Sequence, residues 1–391
     1  MVVIPGGMPR AHARGERGTA VATLAEVARQ AGVSVATASR VLNGGNRVVR
    51  PQLRDKVLAA ASALHYTPNA HAQALAGSHT ASVGLVLHDV SDPYFAAIAG
   101  GAMRRATEHD MLVMMSCTFR DPDRELAYVR MLHQQRAQAI ILAGSGYHDR
   151  ERSEKLRAAL AAYAAGGGRV AVVSQHRFDV DTVLPDNQGG ARALARALLE
   201  LGHREFALVT GPEHLLTVRD RYLGFRQELG RAAAKLPNHR VADGGFTRDG
   251  GYAAVRKLHE SGALREVSCV VALSDVMAIG ALAALRDLGI RVPDDVSLAG
   301  FDDIPTVRDL TPPLSTVRLP LAEMGARALD LALAGREGQA AQVVRVDAEV
   351  VLRGSTAALH RPAAPIPATR QVRDGAAAFE PTRGATTGPE R

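Results

Sequence analysis

The sequence predicts two fold classes in one chain of 391 residues: an all-α head over residues 20–67, and an α/β body with parallel sheets over residues 81–357. Three observations predict this. Residues 20–76 are helical in pattern, with only short polar breaks. From residue 81 onward, short β-branched runs alternate with longer amphipathic stretches, which is the spacing of βαβ units. The charge divides at the same place. Residues 1–80 carry nine Lys/Arg against three acids (net +6), residues 358–391 carry net +2, and the body is left at −1. A basic head on a near-neutral body suits contact with a polyanion through the head alone.

In the head, residues 23–42 read TLAEVARQAGVSVATASRVL. Thr23 and Glu26 have the spacing of a capping box, in which each side chain bonds the other's backbone N–H. Leu24, Val27, Ala28 and Ala31 form one apolar stripe. Gly32 stands where that helix must stop, since glycine accepts a left-handed φ at little cost. Ser34 can cap a second helix running to about Val41. Val33, Ala38, Val41 and Leu42 then face the first helix, and Val35, Ala36, Ser39 and Arg40 point outward. Arginine can pair with guanine and serine with bases or phosphates, while Val and Ala suit a thymine methyl. The spacing alone equally fits an ordinary helical hairpin with solvated polar residues. A third amphipathic helix follows at about Gln52–Leu64.

In the body, strands are expected at Val83–Leu87, Leu112–Ser116, Ala139–Leu142, Val170–Val173, Phe206–Thr210, Val270–Ala272 and Ser297–Gly300. Helical patterns fill the gaps, among them Phe95–His109, Gln188–Leu201 and Met277–Leu288. Parallel sheets of this kind bind ligands beyond the carboxyl ends of their strands. Residues 1–19 and 358–391 lack periodicity and are expected to be a disordered extension and tail.

Several function classes are argued against. No apolar run reaches the roughly 18–20 residues of a membrane span. The opening MVVIPGGMPRAHARGERG lacks the apolar core of a signal peptide, so a cytoplasmic protein is expected. Cys117 and Cys269 fit neither a metal-ligand spacing nor a disulfide framework, and are expected in the core. Gly144-Ser145-Gly146 lacks the third glycine of a dinucleotide fingerprint, and Gly166–Gly168 precedes a strand instead of following one. No phosphate-binding loop, H-E-x-x-H or G-x-S-x-G occurs. An enzyme is therefore not expected, nor a metal or cofactor.

The run VLNGGNRVVRP, the third helix and then HYTPNAHAQALAG complete a pattern over Thr23–Gly77 that resembles the DNA-binding head of the lactose-repressor (LacI/GalR) family. The resemblance continues to about Thr356. It implies a sequence-specific transcriptional regulator, in most of the family a repressor, that binds double-stranded operator DNA as a homodimer. Val35 and Ala36 fall at the two positions that choose bases, and Arg40 at a general major-groove contact. Ser34, Thr37, Ser39 and Asn43 are implied to bind bases or phosphates. Pro68–Gly77 corresponds to a hinge helix with Asn69 as its cap, and Leu75 to the leucine that wedges into the central base step. Two departures stand out. Arg50 precedes Pro51 where the family has a Ser or Thr cap, and Leu53 replaces a common phosphate-binding Thr.

The body resembles the periplasmic-binding-protein-like core of the same family through HDVSDPYF (88–95), LGHREFALVTGP (201–212), RDRYLGF (219–225), ALSDVMAIGAL (272–282) and VSLAGFDDIP (296–305). The resemblance implies two lobes that close around a small-molecule effector, a sugar or related metabolite. The first lobe is placed at about 81–183 and 313–340, and the second at about 184–312 and 341–357. Tyr94, Phe95 and Phe246 would stack on an apolar ring face, and Arg221, Ser274 and Asp302 would bond polar groups. Taken singly, Asp302 would serve as a helix cap, Arg221 as an exposed ion pair and Phe246 as core. Asp92 replaces a commoner Asn. No leucine-heptad tail follows the body, so a dimer is expected instead of a tail-tethered tetramer.

Two rivals remain at this stage: a periplasmic sugar-binding protein with the same body, and a regulator whose body only dimerises. The implied mechanism is a population shift, in which ligand closure of the body changes whether paired hinge segments fold on DNA.

Overall fold

The computed structural model describes residues 22–43, 49–67, 80–176, 178–334 and 340–359. The extension 1–19, the hinge segment with Asn69 and Leu75, and the tail beyond Leu359 lie outside the described residues. The chain divides into two compact units between Thr80 and Ala81.

The head unit holds helices α1 (Leu24–Ala31), α2 (Val35–Asn43) and α3 (Pro51–Ala63). The capping box forms as the sequence requires. Glu26 N–H donates to Thr23 Oγ1 at 3.3 Å, and Thr23 N–H donates to the Glu26 carboxylate at 2.8 Å. Gly32 ends α1 in the left-handed region at φ 66°. Ser34 Oγ accepts from Thr37 N–H at 3.1 Å and starts α2. Val27, Ala28, Ala31, Ala38, Val57, Ala60 and Ala61 form a small core, with Val33, Val41 and Leu42 packed against it. Arg50 gives α3 no side-chain cap; Pro51 opens that helix instead, at a position where its missing N–H costs nothing.

The body unit follows in chain order: β1 (Thr80–Leu87), α4 (Pro93–Thr107), β2 (Leu112–Cys117), α5 (Pro122–Gln134), β3 (Ala137–Ala143), α6 (Arg150–Ala165), β4 (Arg169–Val173), β5 (Asp181–Pro185), α7 (Asn187–Glu200), β6 (Phe206–Thr210), α8 (Leu216–Arg231), β7 (Val241–Asp243), α9 (Arg248–Glu260), β8 (Cys269–Ala272), α10 (Asp275–Asp287), β9 (Ser297–Ala299), β10 (Thr316–Arg318), α11 (Leu321–Leu333), β11 (Val343–Val346) and β12 (Glu349–Val351). Two sheets result. One runs β11-β5-β4-β3-β1-β2 and the other β7-β6-β8-β9; the described registers in both are parallel, as in Val83↔Val113 and Leu208↔Val271. Strands β10 and β12 form a short antiparallel ribbon.

Both faces of the larger sheet are covered, so its strands read as nearly continuous apolar runs. In β1, Val83, Leu85 and Leu87 enter one core, while Val86 enters another with Leu132, Leu160 and Tyr163. Helices α4 and α11 approach so closely that a Cβ on Gly101 would lie 1.8 Å from Ala322 O, and one on Gly325 would lie 1.9 Å from Ile98 O. Among the described residues no helix is long and apolar enough to cross a membrane. Cys269 is buried, Cys117 half-buried, and neither is paired.

The lobe boundaries differ from expectation at two places. Strand β5 carries the first lobe to Pro185, past residue 183. Val343–Val346, assigned to the second lobe from sequence, pairs with Thr182–Pro185 as the edge of the first sheet. Its burial alternates along the strand, which marks a half-exposed edge without saying which sheet it joins. Thr316–Arg318, expected in the first lobe, lies in the ribbon with β12.

Candidate effector pocket and DNA-facing helix

Most polar groups of the candidate pocket follow the carboxyl end of a parallel strand, where open α/β sheets bind ligands; Thr217 and Arg221 come from the helix after β6. From the first lobe come His88 and Asp92 after β1, Arg120 after β2, Gly144 and Ser145 after β3, and Ser174 after β4. From the second come Phe246 after β7, Ser274 after β8 and Asp302 after β9, with Leu215, Thr217 and Arg221 at and within the start of α8. Tyr94 and Phe95, in the first turn of α4, complete the wall. All six residues expected to hold an effector (Tyr94, Phe95, Arg221, Phe246, Ser274 and Asp302) line this one space, whose free volume in this arrangement is about 40 Å3. That is smaller than a sugar needs, so the lobes must part for a ligand to enter.

Arg221 organises the polar side. It is 2% exposed. Its Nε donates to Asn187 Oδ1 at 2.8 Å, Nη1 to Leu273 O at 2.6 Å, and Nη2 to Asp302 Oδ1 at 2.8 Å. The guanidinium also lies 3.9 Å from the centre of the Phe301 ring. It is therefore no exposed ion pair. Burial pushes the Asp302 carboxyl up from its ordinary value, with Arg221 opposing. Asp302 caps no helix; that part falls to Ser274, whose Oγ accepts from Met277 N–H at 3.3 Å.

The backbone is strained where it meets the pocket. Ser174, Phe246 and Asp302 have φ of 91°, 56° and 125°, values that non-glycine residues seldom adopt and that cluster at functional sites. Phe246 is only partly buried and packs at the pocket wall instead of in the core. Tyr94 and Phe95 meet edge to face at 4.9 Å.

The lobes are bonded across the cleft. Thr217 N–H donates to Ser145 Oγ at 3.0 Å, Leu216 N–H to Gly146 O at 3.0 Å, and His148 N–H to His214 O at 2.7 Å. The Ser174 and Thr217 hydroxyls lie 3.2 Å apart.

On α2 of the head, Ser34, Val35, Ala36 and Arg40 are exposed, and Thr37 and Ser39 are half-exposed. Val35 keeps 48% of its surface in solvent, unusual for a branched aliphatic with a core beside it. Asn43 ends α2.

Residues 23–69 match the family model for bacterial regulatory proteins of the lacI family, and residues 195–356 match that of a periplasmic binding protein-like domain. The HTH-type transcriptional regulator DegA of Bacillus subtilis is 33% identical over 343 residues, covering 86% of this chain and 99% of that protein. The chain belongs to the LacI family. It is thus a DNA-binding transcriptional regulator under effector control. Among solved structures, the Lac repressor dimer bound to operator and the anti-inducer ONPF is similar at TM-score 0.74 and 26% identity, covering 86% of this chain and 100% of that one. The regulator CelR in complex with cellobiose is similar at TM-score 0.61 and 29% identity, over 85% and 99% of the two chains.

In this LacI-family regulator, sequence reasoning missed His88 and Arg120 as pocket groups and marked Asp92 only as a departure from the family's Asn. His88 is 2% exposed, its Nε2 has no partner, and burial with Arg120 nearby lowers its pKa to about 3. Asp92 caps α4 through Tyr94 N–H at 3.0 Å and faces Arg120 at 3.6 Å. Burial raises its pKa. Arg120 lies over the Phe246 ring at 5.7 Å, reaching the second lobe. The available signal was position: each of these follows a strand already legible in the sequence. Among the described residues no three His, Cys, Asp or Glu side chains gather as a metal site.

Proposed function

We propose that the pocket binds a neutral hydroxylated metabolite, a sugar or close relative, and that this ligand controls operator binding by a homodimeric repressor. The Arg221–Asp302 pair carries the reading. Arg221 spends three of its five N–H groups on protein partners, and Asp302 accepts from it on one oxygen. A ligand hydroxyl can accept from the guanidinium and donate to the carboxylate at once. Tyr94, Phe95 and Phe246 offer the apolar surface on which a sugar's C–H face packs. The cellobiose complex of CelR supports the same ligand class.

In the head, Ser34, Val35, Ala36, Thr37, Ser39 and Arg40 form the face presented to the major groove, joined by Asn43 at the end of α2, while Leu75 has the separate role of wedging into the central base step from the minor groove. Dimerisation has a candidate surface of its own. Strand β2 is a sheet edge, and its Leu112 and Met115, with Met103 of α4, are 67%, 44% and 47% exposed. A regulator of this kind works beside the chromosome, in the cytoplasm, without catalysis. Effector closure strengthens or competes with the cross-lobe bonds and so shifts the population of the DNA-binding state.

The test begins with genomic fragments selected by the full chain, whose affinity is then titrated with neutral mono- and disaccharides. A sugar that shifts operator affinity in the wild type but not in Asp302→Ala supports the reading. Failure of every neutral sugar to shift it, with a charged or aromatic metabolite doing so, overturns the ligand class.

A further inference from the structure

A second cavity of about 310 Å3 lies on the far side of the wall formed by Gly146 and Gln175, whose backbones bond at 2.8 Å. Tyr147, His176, Phe178 and Leu216 line it, and a narrow floor that shares the first three is closed by Glu125 and Leu156. None of the six effector residues borders it.

The floor holds buried polar atoms without partners. His176 is 4% exposed, and neither ring nitrogen is hydrogen-bonded. The Tyr147 hydroxyl is likewise buried and unbonded. Glu125 is 3% exposed, and its carboxylate stands 3.8 Å from His176 Nε2, too far for a hydrogen bond. Native proteins bond nearly all such groups, because leaving them dry costs free energy. An anion does not fit: Arg150 and Arg157 at the mouth and Arg152 beside the floor already pair with Glu154 or Asp149, and the floor presents the Glu125 carboxylate. A hydroxyl does fit, since it both donates and accepts and so satisfies carboxylate, phenol and either imidazole tautomer. Phe178, Leu156 and Leu216 supply apolar walls for the carbon skeleton.

We propose that this cavity is a second binding site, for a neutral polyhydroxylated molecule, separate from the effector pocket. Leu216 comes from the second lobe, and Tyr147 bridges to Leu215 across the cleft. An occupant therefore touches both lobes and favours their closed arrangement. By linkage it tightens binding at the effector pocket, and the reverse.

Calorimetric titration of the full chain with glycerol, D-xylose, D-glucose and cellobiose tests the proposal. The expected result is two molecules per chain for at least one of these probes. Asp302→Asn, which keeps an acceptor for Arg221, should weaken one event and leave the other within about twofold. Glu125→Gln, which removes a charged hydrogen-bond partner, should weaken that other event by about tenfold or more. Phe178→Ala, which removes one apolar wall, should weaken the same event; because Phe178 also packs against the core, its melting temperature is recorded to confirm that the variant is folded at the titration temperature. If Asp302→Asn removes all binding, or Glu125→Gln and Phe178→Ala change none of it, the second site is overturned while the effector reading stands. Binding lost only in the Glu125 and Phe178 variants keeps the second site and overturns the effector reading. No binding of any of the four probes overturns the ligand class.

Discussion

The proposed recognition face of α2 and the cleft of the body treat their side chains in opposite ways. On α2, Val35 is 48% exposed, and Ala36 and Arg40 stand in solvent on regular helix. In the cleft, Arg221 and Asp302 are 2% and 3% exposed, and Asp302, Phe246 and Ser174 hold left-handed or otherwise positive φ. The difference follows from what each must meet. A duplex is read by side chains that project into its groove, so an ordinary surface helix serves. A small ligand must be enclosed, and the groups that receive it are withdrawn from water, strained and shifted in pKa.

Four measurements break or sharpen that contrast, the largest effect first. Asp302→Ala leaves the Arg221 guanidinium buried without its carboxylate, which costs about 3 kcal/mol; denaturant unfolding of the body should show it, and an unchanged midpoint would mean the pair is not enclosed. Arg40→Ala should leave stability alone and lower operator affinity by roughly 1–3 kcal/mol while relaxing base choice. Unchanged affinity for a selected operator would remove Arg40 from the interface.

The third concerns His88. Its pKa falls from 6.5 to about 3 on folding, so the unfolded chain takes up a proton first as pH drops, and stability is lost on acidification through 6.5 towards 3. Between pH 7 and pH 5 this amounts to about 2 kcal/mol. His88→Gln should lose that much less than the wild type over the same interval. Equal losses would show that the ring is hydrated. The smallest effect is expected in the head: Thr23→Ala removes the capping box and should cost about 1 kcal/mol, lowering the head's melting transition and leaving the body's unmoved.

Much of both sites was legible before the fold was known, for reasons that differ. Thr23, Glu26, Gly32 and Ser34 are local signals whose partners lie within five residues, so the caps formed where the residues stood. Arg221, Phe246 and Asp302 were placed by family resemblance, and the structure brings them together from the ends of three separate segments. Arg120 follows a strand legible in the sequence, but nothing near it in the chain indicates that it reaches Asp92 and Phe246. His88 was not singled out, because only the tertiary structure shows its ring buried with Nε2 unbonded.

By itself the sequence determined the three-helix head, the alternation of strands and helices in the body, and the family to which the chain belongs. The first two rest on periodicity, capping and turn chemistry, which act over a few residues; the family rests on a resemblance that runs from Thr23 to about Thr356. Only the tertiary structure decided that Val343–Val346 edges the first sheet, that Asp302 faces Arg221 from 81 positions away, and that Glu125 and His176 close a second cavity. Those outcomes depend on which distant segments share a sheet edge or a cleft, a choice made by packing of the whole core and not by any local pattern.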